Sequence, residues 1–554
     1  MRILLLFSAF VGIIIIPTKA REVHVSSIVR QKVGNKIYLY ESSSYRNADG
    51  KPRNKRVPIG KIDPSTNKPI YKAEYLIRMA AAGKKLEENT PIKAFTEDAI
   101  RQSSVLEFGA QYLFSNIGQN IGLLDALTKA LPSIYQEIFM LACFLVASGD
   151  PFIYCEEWLS KTAHPEISSL SSQRISELLQ RVTPEEREAF YQSWCTLRSE
   201  QEYLALDITS TSSYSTGIQD VEWGYNRDNE HLPQINLCML MGETSRLPVY
   251  QVPYSGSLKD VSTLETTLSK MSALSTQLNT LVVMDKGFFS TRNVNAMLNS
   301  PEPTRFVIAM PFTSKFAQKM VESERKDIDC LDKTLVIGEQ SLRAITKKRA
   351  WDKEHQLYTH VYYDAMKAAK CREELYAYVA TLKEQAEADP VVAQNDAESQ
   401  KYLIIRKSEL APTGYTINLR EEVVAQNLKH AGWLVVLSND VVDAKKALMI
   451  YRQKDVVEKG FWRLKTQLDL GRLRVHRDDS MQNKLFIGFI ALILMSYIHT
   501  VMLDKALYKN MTMKKMIMSL SKLKIQNING TRILFPLTKE QKIIYEAFSV
   551  KVPV

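Results

Sequence analysis

YRQKDVVEKGFWRLK, residues Tyr451 to Lys465, is the stretch on which the reading of the whole chain turns. Tyr451, Lys454, Glu458 and Lys465 follow one another at intervals of 3, 4 and 7 residues. Those intervals place all four side chains on one stripe of an α-helix. A tyrosine, two lysines and a carboxylate on one helix face suit a phosphate-rich ligand. The alternative is a solvated charged face, which is what most charge patterns on helices are. Two aspartates far upstream tip the balance. Each sits at the end of a strand-like run, Asp207 in YLALDITS and Asp285 in TLVVMDKGFFS.

The chain around these residues has 554 positions, enough for two to four domains with real cores. Its composition is that of a globular protein, with no low-complexity or disordered signature. The net charge of +11 is unevenly spread: KPRNKR (Lys51 to Arg56) lies near the start, and no acidic residue occurs among the lysines from Lys505 to Lys539. Such a balance points to nucleic acid or an anionic membrane. The six cysteines have no CxxC pair and no metal-ligand spacing, and the eight histidines are dispersed. That reads as free thiols in a reducing compartment and argues against a structural zinc site.

Taken in order, residues 25–94 are strand-like and basic, with a hairpin turn at Asn47-Ala48-Asp49-Gly50 before KPRNKR. This small β-rich module presents Lys51, Arg53, Lys55 and Arg56, either as a DNA contact or as a solvated basic hairpin. Residues 95–200 show apolar spacing of three and four, with SSQRISELLQRV and TPEEREAFYQSWCTL opening on helix-start signals. This all-α domain is assigned to DNA binding. From Tyr203 the text becomes α/β: YLALDITSTSSY, QINLCMLMG and LPVYQVPYSG read as strands, then an amphipathic helix, TLVVMDKG and FVIAMPF. Residues 201–313 and 432–503 are the two parts of a mixed-sheet core, separated by a polar insertion at 314–431, and 504–554 form a basic tail. The apolar run Leu485 to Leu503 reads as a buried core helix, because it carries Gly488, Ser496, Tyr497 and His499.

A carboxylate at the end of one strand, a second after a later strand and a third on a following helix form a coherent set. Three carboxylates converging on one point repel each other unless cations lie between them, and their oxygens suit Mg²⁺. Two such ions can activate a hydroxyl and stabilise the leaving oxygen of a phosphodiester. Each member alone is weak: Asp207 could close a strand, Asp285-Lys-Gly could be a turn, and Glu458 could be a surface charge. The joint pattern carries the reading.

At this point a resemblance emerges. The chain resembles insertion-sequence transposases of the DDE class, whose third acid lies in a Tyr-(2)-Arg-(3)-Glu-(6)-Lys signature. Tyr451, Lys454, Glu458 and Lys465 match the spacing, with lysine in place of arginine at 454, a swap that keeps the charge and loses the bidentate fork. Asp207 and Asp285 match the first two acids. GYNRDNEHLPQINL, LPVYQVPYSGSLKDVSTL and the lead-in at Asp440 also resemble the family, over about Tyr203 to Leu503. The long interval before Glu458 fits members with a large insertion. The resemblance implies a ribonuclease-H-like core, catalysis and metal binding by Asp207, Asp285 and Glu458, and Mg²⁺ with Mn²⁺ as an alternative. It implies DNA contacts at Tyr451, Lys454 and Lys465, double-stranded terminal repeats and target DNA as partners, and a homodimer pairing two ends, with no small-molecule substrate. Trp433 or Trp462 stacking on a flipped base is a further expectation, with core packing as the alternative. A nuclease that cuts without joining, and a decayed DNA-binding relic, are the rivals.

MRILLLFSAFVGIIIIPTKA at the start has the look of a signal peptide. Export conflicts with a chromosomal substrate, so the expected start lies near Val23 to Val25 and the expected location is cytoplasmic, at the nucleoid. An exported or membrane-anchored protein is the reading those residues support alone. Asn510-Met-Thr and Asn529-Gly-Thr are then chance sequons.

Overall fold

The computed structural model of the chain describes residues 26–34, 36–46, 52–64, 69–81, 103–167, 169–197, 203–274, 281–300, 303–411, 414–528 and 531–554. The apolar leader, the turn at 47–50 and Lys51 lie outside the described residues. The chain divides into two compact units, residues 1–102 and 103–554.

In the first unit, β1 (Ser26–Val33), β2 (Lys36–Arg46), β3 (Pro52–Ile62) and β4 (Pro69–Tyr71) pair antiparallel in chain order, followed by α1 (Ala73–Ala81). Its core is small: Leu39, Ile59, Ile62 and Tyr75. Only the far end of β3 reaches that core, and its first seven residues are exposed on both faces. Arg53, Lys55 and Arg56 therefore stand on a solvated β-ribbon, as charged side chains without buried partners must.

The second unit opens with β5 (Val105–Glu107) and six helices: α2 (Gly109–Asn120), α3 (Leu123–Ala130), α4 (Tyr135–Ser148), α5 (Cys155–Lys161), α6 (Ser172–Arg181) and α7 (Pro184–Leu197). The expected start signals are used. Ser171 Oγ accepts from the Arg174 N–H, and Thr183 and Glu186 cap each other's backbone at the head of α7.

A nine-stranded sheet follows, built from β6 (Leu204–Ser212), β7 (Gln234–Gly242), β8 (Pro248–Ser255), β9 (Leu281–Met284), β10 (Arg305–Ala309), β11 (Thr334–Ile337), β12 (Gln340–Ala350), β13 (Gln356–Tyr363) and β16 (Trp433–Ser438). The strand order is β11-β12-β13-β16-β10-β9-β6-β7-β8. β9 runs parallel to both β6 and β10, and the other pairs are antiparallel. Three antiparallel strands, a helix (α8, Asp260–Leu274) and two parallel strands around β6 make a ribonuclease-H-like core. Every residue of β7 is buried, which explains its unbroken apolar text: helices cover both faces.

The segment 314–431 does not stand apart from the sheet as an insertion would. β11, β12 and β13 extend it through the β13–β16 pair, since QLYTHVYY has the apolar content to be buried there. Only the remainder forms a separate small core, with Val379, Leu382, Ala386, Ala393, Tyr402 and Leu403 from the helices after residue 365 and the β14–β15 hairpin (Leu403–Lys407, Tyr415–Leu419). The basic segment 504–554 also folds back. β17 (Lys524–Ile528) pairs with β5, and the buried Tyr545 hydroxyl donates to the Gly109 carbonyl at 2.9 Å. The helix Asp478–Asp504 is long and apolar enough to cross a membrane, but 78% of its apolar window is buried. Its Phe486 packs edge-on against Phe190 and Tyr191 of α7, making it the central helix of the core.

Candidate active site

The parallel register of β6 and β9 builds the site. Leu204, Ala205 and Leu206 lie beside Val282, Val283 and Met284. One step further along both strands come Asp207 and Asp285, so the two carboxylates leave the sheet side by side on the same face. Asp207 lies in mid-strand, not at a strand end as its sequence context suggests, because the Thr-Ser-Thr that follows keeps pairing with β7. Residue parity fixes the face. Leu281 and Val283 belong to a cluster with Ala447, Leu448 and Ile450, and Asp285 continues that side. Burial pushes the Asp207 carboxyl up to about 6 and Asp285 adds to that, while the Ile208 N–H, Lys454 and Arg227 pull it down.

The stretch Tyr451–Lys465 is not one straight helix. α9 to α14 intervene in sequence before it (Thr291–Leu298, Lys315–Glu324, Ala365–Ala388, Pro390–Ala393, Ala397–Tyr402 and Glu421–Leu428). α15 (Ala444–Gln453) then stops at Lys454, α16 (Asp455–Trp462) begins at once, and a π-helical turn spans Arg463–Gln467. The break has a packing cause: α15 rests on β9, β10, β12 and β16, whereas α16 rests on β6 and β7. The expected single stripe is thereby bent around the two aspartates. Gly460 permits the approach, since a Cβ there would come 2.4 Å from the Met241 sulfur.

The bend gives each signature residue a protein partner. The Tyr451 hydroxyl, half-buried, donates to Asp285 Oδ1 at 2.7 Å. Burial, then the charge of Asp285, push its phenol well up, so it stays a donor. Lys454 Nζ lies 2.8 Å from Glu458 Oε1 and 3.9 Å from Asp285 Oδ1. Burial pulls this ammonium down, but the Glu458 bond and the charges of Asp285 and Asp207 outweigh it and raise it overall. Lys465 Nζ lies 2.6 Å from Asp228 Oδ2.

Glu458 and Lys465 open on a cavity of about 560 Å³ that is also lined by Asp207, Thr209 and Trp462 among others, while Tyr451, Lys454 and Asp285 stand behind its wall. Its remaining polar wall was not legible as a site: Arg227, Asp228 and Glu230 from the β6–β7 connection, and Asp469 and Arg472 beyond the π-turn. Arg227 pairs with Asp260 at 2.5 Å and Arg472 with Glu230 at 2.8 Å. The available signal was GYNRDNE, whose Asn226 Oδ1 accepts from the Asp228 and Glu230 N–H groups in a tight turn.

Among the described residues no three His, Cys, Asp or Glu side chains stand close enough together to hold a metal as they are placed. The expected convergence of three carboxylates is thus partial: Asp207 and Asp285 adjoin, and Glu458 is turned to Lys454. The donor chemistry nonetheless fits a hard divalent cation, for carboxylate oxygens dominate and the partly buried Asp207, which accepts from the Ile208 N–H, has no ion-pair partner among the described residues. Of the tryptophans, Trp433 is core, its ring tilted against Tyr363 at 4.8 Å and lying under Arg325. Trp462 is 57% exposed on the cavity wall. Arg53, Lys55 and Arg56 belong to the first unit.

Residues 198–494, more than half of the chain, match the family described as the transposase DDE domain. No curated protein matches the sequence. Among solved structures, the chain is similar to a piggyBac transposase in a synaptic complex with hairpin DNA, at 11% identity and a TM-score of 0.34. That likeness covers 81% of this chain and 75% of the other.

Proposed function

The chain belongs to the family of transposases that carry a DDE domain, and from that membership we propose a cut-and-paste DNA transposase whose acids are Asp207, Asp285 and Glu458. The observation that carries the residue assignment is the β6–β9 register, which sets Asp207 and Asp285 side by side with Glu458 across Lys454. Mg²⁺, with Mn²⁺ as an alternative, is the cofactor these oxygens suit; when bound it lowers the cost of placing charge on the attacking and leaving oxygens.

The rest of the chemistry belongs to this chain's side chains. In the first step, water attacks a phosphorus at the element's end, the bond to the 3′ oxygen breaks, and a 3′-hydroxyl is left on the element. In the second, that hydroxyl attacks a target phosphorus and displaces its 3′ oxygen, so phosphodiester bonds are conserved. Tyr451 fixes the orientation of Asp285, Lys454 offsets the clustered negative charge, and Lys465 faces the strand. Trp462, exposed on the cavity wall, is the tryptophan we propose stacks on an unpaired base. The ribbon bearing Arg53, Lys55 and Arg56 meets duplex DNA through its phosphates. Two copies pair two ends, and the substrate places the protein with chromosomal DNA.

The deciding experiment incubates the chain with duplex DNA from the terminus of the element that encodes it, with Mg²⁺, beside Glu458→Gln. Nicks and joined products that vanish in the variant support the proposal. Nicks without joining indicate a nuclease, and binding with neither product indicates a decayed copy.

A further inference from the structure

Two cations on the cavity wall are already occupied by carboxylates of the same chain. Lys465 is held by Asp228 at 2.6 Å, and Arg472 by Glu230 at 2.8 Å. Both acids come from one turn, whose shape is set independently of the cations. Asn226 Oδ1 accepts from the backbone of both acids, Asn226 Nδ2 donates to Ser212 Oγ, and Ser212 Oγ donates to Glu230 Oε2. Asn229 completes the turn with a left-handed φ of 56°.

The cations are fixed just as firmly on the opposite wall. Lys465 sits in the π-turn, a helical defect common at functional sites. Arg472 is bridged to Ser212, the Leu473 N–H donates to the Ser212 carbonyl, and Lys484 donates to the Leu473 carbonyl at 2.7 Å. Arg472 lies over the Tyr214 ring at 5.2 Å, and its buried Nη1 has no hydrogen-bond partner among the described residues. All four paired groups line the cavity that contains Asp207 and Glu458. Two cations positioned by the fold, each facing a carboxylate on a preformed turn, make a site for two anions that the protein fills itself.

We infer that Lys465 and Arg472 form a subsite for two backbone phosphates of the DNA strand entering the cavity, and that Asp228 and Glu230 occupy it until DNA displaces them. The inference rests on the transposase reading and adds Arg472, Asp228 and Glu230 to it. A phosphate must exchange with a carboxylate at each position, so part of the binding energy of correct DNA goes into opening the turn. Nonspecific duplex that does not reach the cavity leaves the pairs closed.

The test measures binding of the full chain to a labelled duplex from the element's terminus by fluorescence anisotropy, from about 50 to 200 mM salt. Asp228→Asn with Glu230→Gln is expected to tighten binding about tenfold and to steepen the log–log salt slope by roughly 2, one counterion for each freed cation. Adding Arg472→Gln is expected to remove about half of that increase. Asp228 is 43% exposed, so Asp228→Asn alone keeps the fold and is expected to give a partial gain; it decides the matter if the double variant fails to fold. Wild-type binding with an unchanged or weaker variant of normal thermal stability overturns this inference alone. No binding by either chain overturns it together with the transposase reading.

Discussion

Tyr451→Phe separates two roles that the sequence could not distinguish. By spacing, Tyr451 reads as a phosphate contact; in the structure its hydroxyl donates to Asp285 Oδ1 at 2.7 Å. The substitution removes one oxygen and leaves the ring packed against the Ala447–Ile450 cluster, so the fold is retained. A hydrogen bond to a charged acceptor is worth about 1.5–3 kcal/mol. At 1.36 kcal/mol per factor of ten, its loss corresponds to about 10- to 100-fold. Lys454 Nζ, 3.9 Å from the same oxygen, is beyond hydrogen-bond distance and replaces little of it. The deficit is expected in the Mg²⁺ concentration needed for half-maximal cleavage under single-turnover conditions, raised about tenfold or more, with terminus binding by anisotropy within about twofold of wild type. Weaker DNA binding at an unchanged metal requirement would refute the argument and return Tyr451 to the DNA backbone.

Asp207→Asn, Asp285→Asn and Glu458→Gln are each expected to abolish nicking while leaving terminus binding nearly intact; cleavage by any one variant removes that residue from the proposed site. Replacing Arg53, Lys55 and Arg56 by glutamine is expected to lower the log–log salt slope of DNA binding by roughly 2 to 3, and an unchanged slope moves the contact off the ribbon. Buried His360 donates from Nε2 to the Val441 carbonyl and accepts at Nδ1 from Thr346, and burial lowers it from 6.5 to about 4. The unfolded chain then takes up a proton below 6.5 that the native ring refuses until about 4, so stability falls over that window by at most roughly 3 kcal/mol. Thermal melts at pH 7 and pH 5 are expected to differ more for the wild type than for His360→Gln; equal differences exclude the ring as the cause.

What was legible in the sequence was whatever depends on one element at a time. YLALDITS, QINLCMLMG, TLVVMDKG and FVIAMPF are apolar because both faces of their strands are covered, and all became strands of one sheet. Ser171 and Thr183 marked helix starts through local hydrogen bonds, which need no tertiary partner. The join of β13 to β16 was invisible because a strand that continues a sheet has no text different from a hairpin in an insertion. The break at Lys454 was invisible for a related reason: the 3, 4 and 7 spacing is compatible with a straight helix, and only packing on different strands bends it.

The same bend explains why residue types were read more accurately than their partners. On a straight stripe, Tyr451, Lys454 and Lys465 would all face outward toward a ligand. Bent around β6 and β9, the stripe turns inward, and each side chain meets a carboxylate: Asp285, Glu458 and Asp228. Spacing records which side chains share a face and accounts for the Lys454–Glu458 pair, four residues apart, whereas the carboxylates met by Tyr451 and Lys465 lie 166 and 237 residues away in sequence, a distance over which no local rule reaches. A cation seen in sequence near a catalytic acid is therefore ambiguous between holding the acid and holding the substrate. In this chain Lys454 does the first as it stands, and Lys465 can do the second only by leaving Asp228, so the DNA binding proposed above is an exchange of ion pairs rather than the filling of an open positive groove.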